Sequence, residues 1–366
     1  MALILTFLGK GGSGRTTLAI ATAKQLARSG QRVLLALHDP GPAPALLLGH
    51  ELSLEPSPIE PQLWAMQFQS APLLEQGWQE IKALEAQYLR TPLLKAVYAQ
   101  ELGVLPGMDS ALALNALRQY DGSGDYDAIV YDGPGDLQTL RMLGMPEILD
   151  WYARRFQAVF QQSDLYKAIS PFLQPLSAAV LAVDWSNSLM DQSTGQVRNI
   201  LEQGREAVHD PNRVAAMLVT TPEPAAIATA RYLWGSAQQV GLTVGGVLVT
   251  QGDASSLEAS QFAPLAVNGV PAVANGDWQP VVNALPDVKS LALAAPRSVE
   301  IDVAAGTVRL FLPSFDKQQV KLSQSGPEVT IDAGDQRRNL FLPQTLAGRP
   351  VQGAKFQDQY LTISFG

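Results

Sequence analysis

The alternation of apolar and polar positions divides the chain into two unlike parts. Up to about residue 250, short apolar runs alternate with longer segments of helical period. Ala2–Leu8 is the first such run, and seven nearly uninterrupted apolar residues predict a strand covered on both faces. Thr16 to Arg28 predicts a helix, because Leu18, Ala19, Ala23, Leu26 and Ala27 recur on one face and Gly30 stands at the C′ position. Further strands are predicted at Val33–Leu37, Tyr126–Asp132, Ala178–Val183, Val214–Thr220 and Val244–Val249. Such alternation predicts an α/β fold with a doubly wound, mostly parallel sheet.

Two stretches interrupt that rhythm with helical insertions, about 60–120 and 146–176. From Glu60 to about Val104 the pattern predicts mainly helix, broken at Pro72 and Pro92. Trp64, Met66, Phe68, Leu73, Trp78, Ile81, Tyr88 and Tyr98 lie on its apolar face, and Pro106-Gly107-Met108-Asp109 starts a further helix through Leu117. Thr139–Leu143 leads into a second helical stretch from Pro146 to about Leu176. The plain reading packs both insertions on the sheet; the sharper one makes them an apolar surface for a hydrophobic partner.

Beyond Gly252 the chain becomes loop-rich, with Pro264, Pro271, Pro280 and Pro286. From Arg297 the period is two: Val299/Ile301/Val303, Val308/Leu310/Leu312, Val320/Leu322, Val329/Ile331, Leu340/Leu342 and Leu361/Ile363/Phe365. That spacing predicts a small all-β sandwich of about 70 residues. The expected organisation is an α/β domain over 1–294 and the sandwich over 295–366.

The chemistry collects at the ends of the predicted strands. Gly9-Lys-Gly-Gly-Ser-Gly-Arg-Thr-Thr17 has the spacing G-x-x-x-x-G-[basic]-T, with Lys10 as an additional cation. Glycines let a loop turn its amides inward, and a helix N-terminus favours the same anion. Between a strand and a helix, Gly9, Lys10, Gly11, Gly12, Ser13, Gly14, Arg15, Thr16 and Thr17 therefore predict a P-loop for nucleotide phosphates. Asp39 ends the second strand, near where metal and γ-phosphate sit in such sheets, although a turn aspartate before Pro40 is the alternative. Asp132 ends a hydrophobic strand in the Walker-B manner, where a carboxylate supports Mg²⁺, usually through water.

Composition narrows the function classes. Apolar residues make up 46% and charged residues only 16%, which points to covered or apolar surface. The net charge of −8 argues against nonspecific binding of nucleic acid. The absence of cysteine excludes disulfides, thiolate zinc sites and thiol nucleophiles. His38, His50 and His209 stand apart, which speaks against a histidine metal site. Met1–Leu8 lacks a basic leader and runs straight into the glycine loop, and no apolar run reaches the roughly 18 residues of a membrane span. A cytoplasmic protein without an integral span is expected.

The P-loop with its early Lys10, Asp39-Pro40, Tyr126-Asp-Ala-Ile-Val-Tyr-Asp132, Thr139-Leu-Arg141 and Val219-Thr-Thr-Pro-Glu223 resemble the arsenical-pump (ArsA) and tail-anchored-protein targeting ATPases. Leu342-Pro343 and Gly353 to Ile363 resemble an α-crystallin (small heat-shock) domain, and the combination is similar to the cyanobacterial and plastid branch of that family. The resemblance implies a homodimer using ATP and Mg²⁺, with Lys10 reaching the nucleotide of a partner subunit. Thr16 would ligate the metal, Asp132 would support it, Asp39 would begin switch I, and Lys10, Asp39 and Asp132 would be the catalytic set. Nucleotide would open and close the dimer around a hydrophobic protein segment, with delivery to a membrane-associated partner left open.

Several residues depart from the family pattern. Arg15 stands where the loop lysine belongs; it keeps the charge but is planar and bulkier. The family's water-orienting aspartate, seven positions after the switch I aspartate, becomes Leu46. Switch II reads Asp132-Gly-Pro-Gly-Asp-Leu-Gln138, with Gln138 and Asp136 as the polar substitutes. The adenine-reading asparagine aligns with Thr250, beside Gln251. Nucleotide binding is therefore expected to survive better than hydrolysis, and a protein holding ATP as a structural or sensory ligand without turnover is the alternative. An anion-pump subunit is disfavoured by the lack of cysteine, and a septum-placing or DNA-partitioning relative by the acidic charge and the appended sandwich.

Overall fold

In the computed structural model, residues 1–69, 71–75, 107–162, 190–326, 328–334 and 336–366 are described. The apolar runs become the strands of a large sheet: β1 (Leu3–Leu8), β2 (Val33–Leu37), β3 (Ser57–Glu60), β4 (Leu63–Gln67), β5 (Ala128–Asp132), β6 (Val214–Thr220), β7 (Thr243–Val249) and β8 (Ala266–Gly269). Their order is β3-β4-β2-β5-β1-β6-β7-β8, and every pairing is parallel except β3 with β4. Successive residues face opposite layers. Leu3, Leu5 and Phe7 pack under α1 (Arg15–Arg28), while Leu34, Ala36, Ile129 and Tyr131 line the other face.

Among the described residues the remaining helices are α2 (Ala43–Leu48), α3 (Met108–Ser123), α4 (Leu137–Gln162), α5 (Met190–His209), α6 (Pro224–Gln239), α7 (Gln279–Ala284) and α8 (Val288–Ala294). Helices α7 and α8 join α1 on one face of the sheet, through Val281, Val288 and Ala292. On the other face lie α3, α4 and α6, through Leu117, Leu140 and Trp234. Layers on both sides of a parallel sheet make the doubly wound α/β architecture that alternation predicts.

One stretch is corrected. Residues 60–68 do not open a helical insertion; they form the end of β3, a turn and β4. Leu63 and Ala65 face the α1 layer, while Trp64, Met66 and Phe68 face the α3 and α4 layer. With both faces covered, the period-two signal loses its polar phase and reads as a broad apolar stripe. Strand β8, inside the stretch read as loop, is four residues long with a half-buried Asn268 and carries little apolar signal. The positions from Trp78 to Tyr98, residues 163–176 and the strand expected at Ala178–Val183 lie outside the described residues.

The C-terminal strands are β9 (Val299–Asp302), β10 (Thr307–Phe311), β11 (Val320–Ser325), β12 (Glu328–Ala333), β13 (Gln336–Phe341), β14 (Val351–Gln357) and β15 (Tyr360–Phe365). They form two antiparallel sheets, β14-β15-β10-β9 and β11-β12-β13, around Val308, Leu310, Val329, Ile331 and Ile363. This is the sandwich that the period of two predicts. It rests on α6, where the Trp234 and Phe311 rings meet edge to face at 5.7 Å. Its strand β13 contributes the buried Arg338, which donates from Nη1 to the Gln238 carbonyl at 3.0 Å. From α4, Trp151 Nε1 donates to Glu328 Oε2 at 2.9 Å and Glu147 lies 3.9 Å from Arg338 Nε.

Candidate functional site

The glycine loop joins the end of β1 to the start of α1, at the carboxyl edge of the sheet. Gly14 takes φ 89°, ψ 20°, a left-handed conformation that side chains disfavour, and turns the loop into the helix. No side chain caps α1, so the helix presents uncapped first-turn amides at the loop. Ser13 is buried, and its Oγ has no hydrogen-bond partner. A buried orphan hydroxyl inside a glycine loop is unfavourable unless a ligand satisfies it.

Asp132 lies at the end of β5 beside the loop, with the Thr16 side chain near enough to favour its charged form. Burial pushes its carboxyl up to about 6; Thr16 and the Arg15 charge oppose that rise, and Asp39 adds to it. A neighbouring hydroxyl and carboxylate beneath an anion-favouring loop are suited to a hard, oxygen-bound cation such as Mg²⁺. The residues present therefore fit a magnesium-nucleotide: the loop amides and Ser13 would take phosphate, Thr16 would ligate the metal and Asp132 would support it.

Arg15 points the other way. Its Nη1 donates to the Pro134 carbonyl, with the Gly133 carbonyl at 3.5 Å, so the guanidinium is clamped on the segment that follows β5. Burial lowers its pKa, opposed by Asp132 and Asp136. The loop and the switch are joined again where Gly9 N donates to the Gly135 carbonyl at 2.9 Å. Lys10 is half-buried and pairs with Glu223 Oε2 at 3.2 Å, at the N-terminus of α6.

Thr250 and Gln251 support the loop from behind β7. Thr250 Oγ1 donates to the Ser13 carbonyl at 2.6 Å, and Gln251 Nε2 donates to the Gly12 carbonyl at 2.9 Å. Asp39 is exposed on the opposite side and closes a turn, its Oδ1 accepting from Gly41 N at 2.8 Å. Gln67 of β4 clamps that turn through the Asp39 and Gly41 carbonyls. The structure thus gathers residues 9–17, Asp132, Thr250 and Gln251 at one point, with Asp39 near enough to act on Asp132. Leu46 is 79% exposed on α2.

Apart from Gln138, sequence reasoning missed a polar chain beside the ends of β2 and β5. Tyr131 Oη and His38 Nδ1 are 2.8 Å apart, and His38 Nε2 lies 3.8 Å from Asp109 Oδ2. Gln138 Nε2 donates to Asp109 at 3.0 Å and to Ser110 Oγ at 3.1 Å. His38 directly precedes Asp39, which was the available signal; nothing in the spacing marks Asp109.

Comparison with known proteins follows the same division. Residues 2–258 match the family described as anion-transporting ATPase, and residues 306–365 match an HSP20-like domain found in ArsA. A protein of Chlorobaculum tepidum named as an arsenical pump-driving ATPase is 27% identical over 396 residues, covering 99% of this chain and 95% of its own. A similarly named protein of Aquifex aeolicus is 22% identical over 98% of this chain and 99% of its own. An ATPase ASNA1 homolog of Cryptosporidium parvum is 26% identical over 226 residues, 59% of this chain and 56% of its own.

Proposed function

The chain belongs to the anion-transporting ATPase family, and from that premise we propose that it binds ATP with Mg²⁺, hydrolyses it slowly, and works as a dimeric targeting factor for hydrophobic protein segments. ATPases of this family use nucleotide and Mg²⁺, and its members in general work as dimers. The observation that carries the reading is the uncapped N-terminus of α1 with the unpartnered, buried Ser13 hydroxyl in its glycine loop and Asp132 close beside Thr16. When bound, Mg²⁺ would neutralise phosphate charge as the terminal bond loosens. The chain's own residues would do the rest: loop amides orient the phosphates, the Thr16 hydroxyl ligates the metal, and Asp132 holds the metal's water. Lys10 would leave Glu223 to reach a nucleotide in a partner subunit. Leu46 supplies no group to orient water, which supports slow turnover.

The client half rests on the resemblance and on exposed apolar residues of α4: Ile148, Leu149 and Tyr152 are 44%, 37% and 50% exposed. An arsenical-pump role is disfavoured because the chain has no cysteine for a soft metalloid. The clamp of Arg15 on switch II favours a second reading, in which nucleotide is retained without turnover.

Two measurements decide. Single-turnover assays on the nucleotide-loaded protein are expected to show slow, magnesium-dependent phosphate release that Lys10→Ala abolishes; no release selects the second reading. Affinity for a hydrophobic helical peptide is expected to differ between ATP- and ADP-loaded protein, and equal affinities reject the targeting role.

A further inference from the structure

The two helices that hold the sandwich both begin at the glycine loop. Helix α4 starts in the switch, where Gly135 N donates to Thr139 Oγ1 at 2.8 Å and the Gly135 carbonyl accepts from Gly9 N. Helix α6 starts at Glu223, which pairs with Lys10. At 1.5 Å per residue, Glu147 lies about 15 Å along α4 and Gln238 about 20 Å along α6. Arg338 joins both, through Nη1 to the Gln238 carbonyl and through Nε to Glu147.

The junction has a cost that demands a tight fit. Arg338 is 3% exposed, and burial lowers its pKa, with only Glu147 opposing. Its Nε has no hydrogen bond and only the longer ion pair. Glu147 is shared with His209 of α5 at 3.0 Å. A buried guanidinium with a single carboxylate partner among the described residues tolerates little displacement, since a lengthened pair loses Coulomb energy while desolvation stays. A small shift of α4 against α6 therefore changes the stability of the sandwich's seat.

We propose that Arg338 couples the nucleotide site to the C-terminal sandwich, so that ligand at the glycine loop alters the seating of β12 and β13 on α4 and α6. The proposal rests on the nucleotide reading of the loop. Phosphate entering the loop competes with the carbonyls of Gly133 and Pro134 for Arg15, and a partner subunit's nucleotide draws Lys10 from Glu223; these contacts sit at the near ends of the two helices. By linkage, loosening the seat changes nucleotide affinity by the same factor.

The test uses the full chain and a magnesium-bound non-hydrolysable ATP analogue. Hydrogen exchange is expected to change within β12 and β13 when the analogue binds. Arg338→Met is expected to erase that response and to shift the analogue's Kd about fivefold or more. Should Arg338→Met not fold, Trp151→Phe keeps an aromatic ring while removing the indole donor to Glu328, and is expected to reduce the same response. The proposal is overturned if the analogue binds while exchange in β12 and β13 stays unchanged, or if the variants bind with native affinity and keep the response. If the analogue fails to bind the native chain, the nucleotide reading itself falls, which is a distinct result.

Discussion

A lysine in the loop would be one mobile point charge, whereas Arg15 spreads its charge over a planar fork and spends one arm on backbone carbonyls of the switch. That single side chain joins the loop to the segment after β5, and its charge also restrains the rise of the Asp132 carboxyl. Arg15→Ala removes both effects. It is expected to weaken magnesium-nucleotide binding about tenfold or more, the scale of one charge-assisted hydrogen bond. Arg15→Lys is expected to keep affinity within a few-fold while freeing the switch. Titration with a fluorescent nucleotide checks both, and native affinity in Arg15→Ala would exclude the residue from the phosphate site.

At the scale of elements, α4 carries the largest burden, from the switch at its start to the sandwich contacts at Glu147 and Trp151. Glu147→Ala would leave Arg338 buried with its counter-charge gone, a change expected to cost roughly 3 kcal/mol in a denaturant melt. Glu147→Gln, which keeps a hydrogen-bond acceptor for His209, is expected to cost less. Most of this framework was legible in the chain. Central strands and α1 stood out because burial on both faces makes unbroken apolar runs, and the glycine loop because its spacing serves backbone geometry. What escaped notice lacked such a signal. Strand β14 keeps most side chains in solvent, so no alternation marks it, and β4 imitates a helical stripe. Arg338 shares the period-two phase of Leu340 and Leu342, so an arginine on the buried phase of a strand was the visible clue. The clue could not name Glu147, because pairing across so much chain is decided by docking.

For the whole molecule, the relevant variable is acidity. Glu147 is held below its ordinary value of 4.5: burial raises it, but the His209 bond and the Arg338, His209 and Arg205 charges outweigh that. A carboxyl depressed by folding adds stability above its unfolded pKa and loses it as pH falls through the folded one. The junction is therefore expected to hold from neutrality down through the ordinary carboxylate range and to loosen only below it. The sandwich has its own core of Val308, Leu310, Val329, Ile331 and Ile363, so its β signal should outlast the junction. Tryptophan fluorescence from Trp151, followed against far-ultraviolet circular dichroism during acid titration, checks the order. Loss of both signals together would refute independent unfolding of the junction.

The Arg338–Glu147 pair also has a hereditary consequence. An arginine buried against one glutamate cannot be exchanged at leisure, because each intermediate form strands a charge. Lineages that keep the appended sandwich should thus inherit the two positions as a couplet, changing both or neither. Lineages that shed it are released from the constraint, and drift at position 147 would record the loss.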